Sequence, residues 1–147
     1  MAIGKGMNAK LYYDTSGVGG STWTELTIVK DVSLNLEKAE ADVTTRGAGG
    51  FRQTVSTLKE ATIEFEMIWD PADAGFDVIV AAWNAGSTIG LAVVDAAIAT
   101  VGTQGLTADC EIISFNKNEP LDGIATVNVT AKPTYSTTAP AWLDVSA

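Results

Sequence analysis

The sequence predicts a mainly β fold, an antiparallel β-sandwich or barrel with one flanking α-helix over about residues 71–85. Apolar and polar residues alternate in several short segments, which is the period of a half-buried strand. Only one segment has helical spacing of its apolar residues. The chain has 147 residues, of which 46% are hydrophobic and 18% charged. This length and composition are typical of one ordered domain with its own core.

Seven segments have the alternating pattern of strands, and turn-rich stretches such as residues 14–21 separate them. The clearest covers residues 61–68, where Ile63, Phe65 and Met67 alternate with polar side chains. The predicted strands are residues 10–13, 23–29, 32–37, 61–68, 88–95, 107–116 and 124–131.

The predicted helix has consistent signals at both ends. Asp70 is a suitable N-cap, Pro71 suits the first helical position, and Asp73 lies in the first turn, where the helix dipole favours a carboxylate. Gly86 is placed to end the helix. The i, i+3, i+4, i+7 stripe predicts a packing core of Phe76, Ile79, Val80 and Trp83.

The pattern indicates one domain over residues 1–147, with a short N-terminal arm (1–8) and an extended C-terminal arm (132–147). The C-terminal arm contains Pro133, Pro140 and several Ser and Thr residues. Trp142 and Leu143 are expected to anchor it, either to the same subunit or to a neighbour.

Residues for catalysis are scarce. The chain has no histidine, which excludes the usual Ser-His-Asp and Cys-His sites. Its single cysteine, Cys110, is expected to be a small core residue rather than a metal ligand. Glu64 and Glu66 could form an acid/base pair, but alternating glutamates on a solvated strand are ordinary. Capping and solvation explain the aspartates at 70, 73 and 77 better than a metal does. We therefore expect no catalytic residue, no metal and no cofactor.

Charge argues against binding of nucleic acid. The formal net charge is −9, whereas phosphate binding depends on Lys and Arg. No Lys or Arg occurs from residue 60 to residue 116, a span with nine carboxylates. This acidity either keeps soluble copies apart or has a specific function. The N-terminus lacks the apolar stretch of a signal peptide, and no apolar run is long enough for a membrane helix, so synthesis in a cytoplasm without membrane insertion is expected.

The predicted loop of about residues 40–58 is longer than most connections within a domain. It contains the only two arginines, Arg46 and Arg52, on either side of Phe51. Because arginine and aromatic residues are enriched at protein interfaces, the loop is predicted to dock onto copies of the same chain. The alternative is a solvated hairpin tip. The candidate interface residues are Asp42, Thr44, Arg46, Gly47, Gly49, Gly50, Phe51 and Arg52.

The order of these features resembles that of the tail tube (major tail) proteins of long-tailed bacteriophages. The resemblance rests on four segments and covers about two-thirds of the chain. They are Trp23 to Leu34, Ala41-Asp-Val-Thr-Thr-Arg46-Gly with its glycine-rich continuation to Phe51, Leu58-Lys-Glu-Ala-Thr-Ile-Glu-Phe65, and Trp69-Asp-Pro-Ala-Asp73 before a helix.

The resemblance implies a structural virion protein that forms hexameric rings, stacked into a hollow tube through which double-stranded DNA passes without specific binding. In that family the long loop contacts neighbouring subunits and rings. A tape measure protein and terminator or baseplate proteins are the implied partners, and the host cytoplasm is the implied place of synthesis. Glu64 and Glu66 are candidate lumen residues. The alternatives are the tube of a phage-derived secretion or tailocin-like particle, or a monomeric carbohydrate-binding β-sandwich module.

Overall fold

A computed structural model of the protein describes residues 5–19 and 22–145. Residues 1–4 of the predicted N-terminal arm and residues 146–147 of the predicted C-terminal arm lie outside the described residues. The fold class predicted from the sequence, mainly antiparallel β with one helix, is confirmed. The elements are β1 (Lys10–Asp14), β2 (Thr24–Glu25), β3 (Val29–Asp42), β4 (Thr54–Ile68), α1 (Ala74–Ala85), β5 (Ile89–Val94), β6 (Gln104–Asn118), β7 (Thr126–Pro133) and β8 (Ala141–Asp144).

The strands form one antiparallel sheet in the order β2-β1-β5-β6-β7-β4-β3, and β8 pairs with β6 beside this path. The path starts at β2 and ends at β3, and in the described part of the chain these two strands do not pair. The sheet is therefore not closed into a barrel. Among the described residues, β3 is consequently a long edge strand with β4 as its single partner.

The core lies between the apolar face of the sheet and α1. The alternation predicted for residues 61–68 places Ile63, Phe65 and Met67 in this core, each at most 3% exposed. From α1, Phe76 and Ile79 are buried against them. The rings of Phe76 and Trp69 meet edge to face with centroids 4.9 Å apart, a favoured aromatic geometry.

The helix begins three residues later than the sequence suggested, so the predicted N-cap was wrong. The Asp73 carboxylate caps α1 by accepting hydrogen bonds from the backbone N–H groups of Gly75 (2.8 Å) and Phe76 (3.2 Å). Asp70 instead caps a preceding turn that contains Pro71, by accepting from the N–H of Ala72. Both aspartates have capping chemistry, and the tight turn between them decides which one starts the helix.

The predicted helical packing core is only partly buried. Val80 is half-buried and packs against the core, but Trp83 is 49% exposed, so its assignment to the core was wrong. The ring of Trp83 instead lies beside Phe115 on β6, with centroids 6.4 Å apart. The buried residue on this turn of the helix is instead Ala82, which lies three residues after Ile79 and therefore on the same face.

Several strand boundaries differ from those predicted. The strand predicted at residues 23–29 is divided by a turn at residues 27–28, after which β3 begins. β3 and β4 extend into the predicted loop of residues 40–58, so only residues 43–53 connect them. The first part of the C-terminal arm continues β7, and β8 pairs with β6 of the same chain.

Candidate functional site

The β3–β4 hairpin projects from the rest of the protein as a two-stranded ribbon, called here the β-arm (residues 35–60). Every residue of the β-arm is exposed except Ala48, which is half-buried. Ladder pairing continues almost to its tip, where Asp42 is directly opposite Thr54. Such a ribbon contributes little to the core of its own chain, because its side chains have no second layer to pack against.

The tip of the β-arm is held together by its own hydrogen bonds. The Val43 N–H donates to the Gln53 carbonyl (3.0 Å), and the Gln53 N–H donates to the Thr44 hydroxyl (2.9 Å). The Asp42 carboxylate accepts from the Thr44 N–H at 2.8 Å. Hydrogen bonds from the side chain and the backbone of Thr44 lower the pKa of Asp42. The tip therefore has a defined conformation.

The remaining predicted interface residues lie at this tip. Arg46 opens a short 3₁₀ turn (Arg46–Ala48), and Gly49 and Gly50 follow it with φ angles of 64° and 88°. Only glycine adopts these left-handed angles without strain. Phe51 is 76% exposed, and none of the ion pairs among the described residues involves Arg46 or Arg52. The tip thus presents an aromatic ring between two arginines.

Apolar side chains along the β-arm are also exposed. They are Leu36 (52%), Val43 (45%), Phe51 (76%), Val55 (51%) and Leu58 (78%). A group of exposed aliphatic and aromatic residues on one projecting ribbon is typical of a surface that another protein covers.

Glu64 and Glu66 lie on the face of the sheet opposite α1. Glu64 is exposed, whereas Glu66 is half-buried and pairs with Lys30 of β3 at 3.4 Å. Their neighbours on β3 and β7 are polar, because Ser33 and Thr130 are opposite Glu64. This surface, called here the polar face, includes Asp31, Ser33, Asn35, Glu37, Glu60, Thr62, Glu64, Glu66, Asn128, Thr130 and Lys132. It is mainly acidic. Residues 60–116 contain no lysine or arginine, but Lys30 of β3 and Lys132 of β7 lie beside these carboxylates.

A buried carboxylate that the sequence analysis did not single out joins two loops to β6. Asp109 is 5% exposed and accepts hydrogen bonds from the Val18 N–H (2.6 Å) and the Ser136 hydroxyl. Ser136 belongs to the segment before β8, so Asp109 helps to position that strand. The adjacent Cys110 is fully buried, and burial together with the charge of Asp109 raises the pKa of its thiol to about 12.

No group of three or more potential metal ligands is clustered in residues 5–19 and 22–145. Within the same ranges, no helix has the length and apolar character needed to span a membrane.

A profile of the phage tail tube protein family matches residues 5–134. The chain belongs to this family. Its function is accordingly that of a structural component of a tail tube. No curated protein sequence matches the chain.

The fold of this tail tube protein also occurs in solved structures of other particles. The tail of an empty gene transfer agent particle, refined with C6 symmetry, has a TM-score of 0.74 and 15% identity, covering 95% of this chain and 98% of the other. The SPP1 tail tube has a TM-score of 0.70 and 13% identity, with coverages of 87% and 74%. A chain of the anti-feeding prophage baseplate has a TM-score of 0.58 and 8% identity, with coverages of 94% and 93%.

Proposed function

We propose that this tail tube protein assembles into hexameric rings, that the rings stack head to tail into a hollow tube, and that the β-arm is a main contact between copies. The observation that carries the proposal is the β-arm itself, since its aliphatic and aromatic side chains are exposed in the single chain. Stacking of identical rings is a heterologous contact, which repeats to give a filament. The C6 symmetry of the gene transfer agent tail supports a ring of six.

The arginines at the tip supply direction to this contact. A guanidinium pairs with a carboxylate through two parallel hydrogen bonds, and the chain has twice as many acidic residues (18) as basic ones (9). Arg46 and Arg52 can therefore pair with carboxylates on the surface of a neighbouring copy. A modest energy for each pair is multiplied around every ring.

The polar face is proposed to line the lumen, with Glu64 and Glu66 among its residues. Double-stranded DNA carries about one charge per 1.7 Å of axis, so a lumen that it crosses must not bind it. A mainly acidic wall repels DNA, and the pairing of Lys30 with Glu66 moderates this charge without leaving a basic track. The opposite face of the sheet is covered by α1 and is unsuitable for a pore.

The proposed partners follow from this role. A tape measure protein would occupy the lumen during assembly, and terminator and baseplate proteins would contact the two ends of the tube. Double-stranded DNA would pass through without specific binding. The protein would be made in the cytoplasm of the host bacterium and would reside in the virion tail.

Shortening the β-arm tests the proposal. Because Asp42 and Thr54 are directly opposite each other, a two-residue Asn-Gly turn can replace residues 43–53. The melting temperature of the monomer should be nearly unchanged, whereas rings or tubes should disappear from negative-stain micrographs. If the shortened protein polymerises normally, or the full-length protein stays monomeric at high concentration, the proposal is wrong.

The arginines can be tested with a matched control. In the Arg46→Ala, Arg52→Ala variant, assembly should weaken and should depend less on salt, because screened charge pairs no longer contribute. The Arg46→Lys, Arg52→Lys variant keeps the charge but loses the planar fork, so it should retain the salt dependence with weaker assembly. Equal assembly by all three proteins would exclude a role for the guanidinium groups.

The lumen assignment can be tested by labelling. The buried Cys110 should not react, so a Glu64→Cys variant carries one accessible thiol. In assembled tubes a bulky maleimide reagent should not label Cys at position 64, whereas a small one should. Asp77→Cys, at an exposed position on α1, is the control that should react with both reagents. Equal labelling of the two positions by the bulky reagent would contradict a lumen position for Glu64.

A further inference from the structure

An apolar groove lies at the base of the β-arm and is open in the single chain. Its volume is about 520 Å³. Two of its lining residues, Leu36 and Trp142, are 52% and 57% exposed. The apolar lining residues are Leu36, Ala61, Leu106, Pro133, Pro140, Ala141 and Trp142. The groove therefore combines the β-arm with β8, and it has room for an aliphatic side chain from outside.

The rim of the groove is positively charged. Lys38 of β3 is directly opposite Lys59 of β4, and like charges in opposite cross-strand positions repel each other. The ion pairs found in residues 5–19 and 22–145 include neither lysine. Glu37 and Glu60 also border the groove, but strand alternation directs their side chains to the polar face. The two lysines therefore have unused capacity for an external carboxylate.

A feature with the opposite charge and an exposed aliphatic side chain occurs in the turn between β6 and β7. This turn is called here the acidic knob (residues 119–125). Leu121 is 100% exposed at its tip, and Ile124 is 68% exposed. A hydrogen bond from the Gly123 N–H to the Pro120 carbonyl closes the turn. Glu119 and Asp122 stand on either side of Leu121, and only Glu119 is engaged in a described ion pair, with Lys117. The knob is an aliphatic side chain between two carboxylates.

The acidic knob and the groove are at opposite ends of the sheet. β6 passes the groove at Leu106 and reaches the knob after Asn118. Twelve residues of extended strand span about 40 Å, so the two features cannot meet within one copy. In a head-to-tail stack along the direction of β6, however, the end that bears the knob faces the end of the next copy that bears the groove.

We infer that the acidic knob of one copy seats in the groove of the copy stacked on it, with Leu121 among the apolar lining residues and Asp122 and Glu119 against Lys38 and Lys59. This contact rests on the proposed stacking of rings and specifies a pair of surfaces for it. Phe51 is another exposed large side chain on a projecting turn, but it is flanked by Arg46 and Arg52. Those arginines would face the two lysines, so charge favours the acidic knob.

Charge reversal provides the first test. One variant carries Glu119→Lys and Asp122→Lys, and a second carries Lys38→Glu and Lys59→Glu. Each changes only exposed residues, and the exposed pair of Glu119 with Lys117 that the first variant loses contributes at most about 1 kcal/mol. Both variants should therefore melt within a few degrees of the wild type. Alone, each places like charges at the contact, and the polymerised fraction in sedimentation should fall by at least about tenfold. When the two are mixed, each knob meets a groove of opposite charge, so tubes should return.

The experiment separates an error in the proposed contact from an error in the proposed assembly of tubes. If the wild type forms tubes and both folded variants also do, or if the mixture does not recover, the contact is wrong and the proposed function stands. Lys132→Glu is a control for general effects of charge, because Lys132 lies on the polar face and does not line the groove. This variant should assemble by itself. A wild-type protein that stays monomeric would overturn both proposals.

Disulfide cross-linking provides the second test and identifies the occupant. In tubes of the Leu36→Cys, Leu121→Cys variant, oxidation should give ladders of linked chains, because the native Cys110 is buried and does not compete. The Leu36→Cys, Phe51→Cys variant should remain mostly unlinked. Linking through position 51 instead of position 121 would place the tip of the β-arm in the groove and overturn the inference.

Discussion

Removal of the Asp109 carboxylate is expected to lower stability strongly, although no sequence motif marks this residue. The carboxylate is 5% exposed and holds two segments far apart in sequence. It accepts the Val18 N–H at 2.6 Å and the Ser136 hydroxyl. In the Asp109→Ala variant, both donors lose their acceptor inside the protein, where water cannot fully replace it.

The magnitude follows from these two contacts. A hydrogen bond to a charged group contributes about 1.5–3 kcal/mol, and burying the carboxylate offsets part of the total. The expected decrease in the free energy of unfolding is therefore about 2–5 kcal/mol. For a chain of this size, that corresponds to a decrease of roughly 5–20 °C in the melting temperature.

Thermal unfolding of monomeric protein measures this effect, with Asp95→Ala as the matched control. Asp95 is exposed and accepts a single backbone hydrogen bond, from the Gln104 N–H at 3.0 Å, so its removal should cost about 1 kcal/mol or less. Asp109→Asn keeps an acceptor for one donor and should fall between the two. If Asp109→Ala melts within error of Asp95→Ala, the reasoning is refuted.

Three further predictions concern local chemistry. Cys110, with a pKa of about 12, should not react with thiol reagents at pH 8 until the protein unfolds. Asp73→Ala should cost about 1 kcal/mol in urea unfolding, and Asp70→Ala clearly less, because only Asp73 caps α1. NMR titration should show the pKa of Asp42 below its ordinary value and raised by Thr44→Val. Because folding lowers this pKa, the stabilisation exists above the unfolded pKa and is lost as the pH falls through the folded one.

The sequence predicted the body of the fold well because burial leaves a period in the sequence. Strands with one face in the core, such as residues 61–68, alternate clearly. The β-arm has no buried face, so residues 40–42 and 54–58 of its strands carry no alternation and were interpreted as part of a loop. Pairing there continues from the register fixed by the buried part of β3 and β4, which is a tertiary effect.

The candidate site was also predicted only in part, because some of its features depend on residues that are distant in sequence. Arg46, Arg52 and Phe51 could be singled out by residue type alone, and the structure places all three at the exposed tip of the β-arm. Their role in assembly stays a prediction. Asp109 could not be found, because its partners Val18 and Ser136 are 91 and 27 residues away in sequence. The groove likewise exists only where β8 returns beside the base of the β-arm.

The proposed contact between the acidic knob and the groove has consequences for how assembly responds to salt. Screening at high ionic strength weakens the attraction of Asp122 for Lys38 and Lys59 as copies approach, so the association rate should fall. Once Leu121 is seated, apolar burial and partial desolvation of the charges hold the contact, and salt affects these much less. Growth of tubes should therefore slow with salt while finished tubes persist. This difference between assembly and disassembly is expected of an interface in which charge guides the approach and an aliphatic side chain secures it.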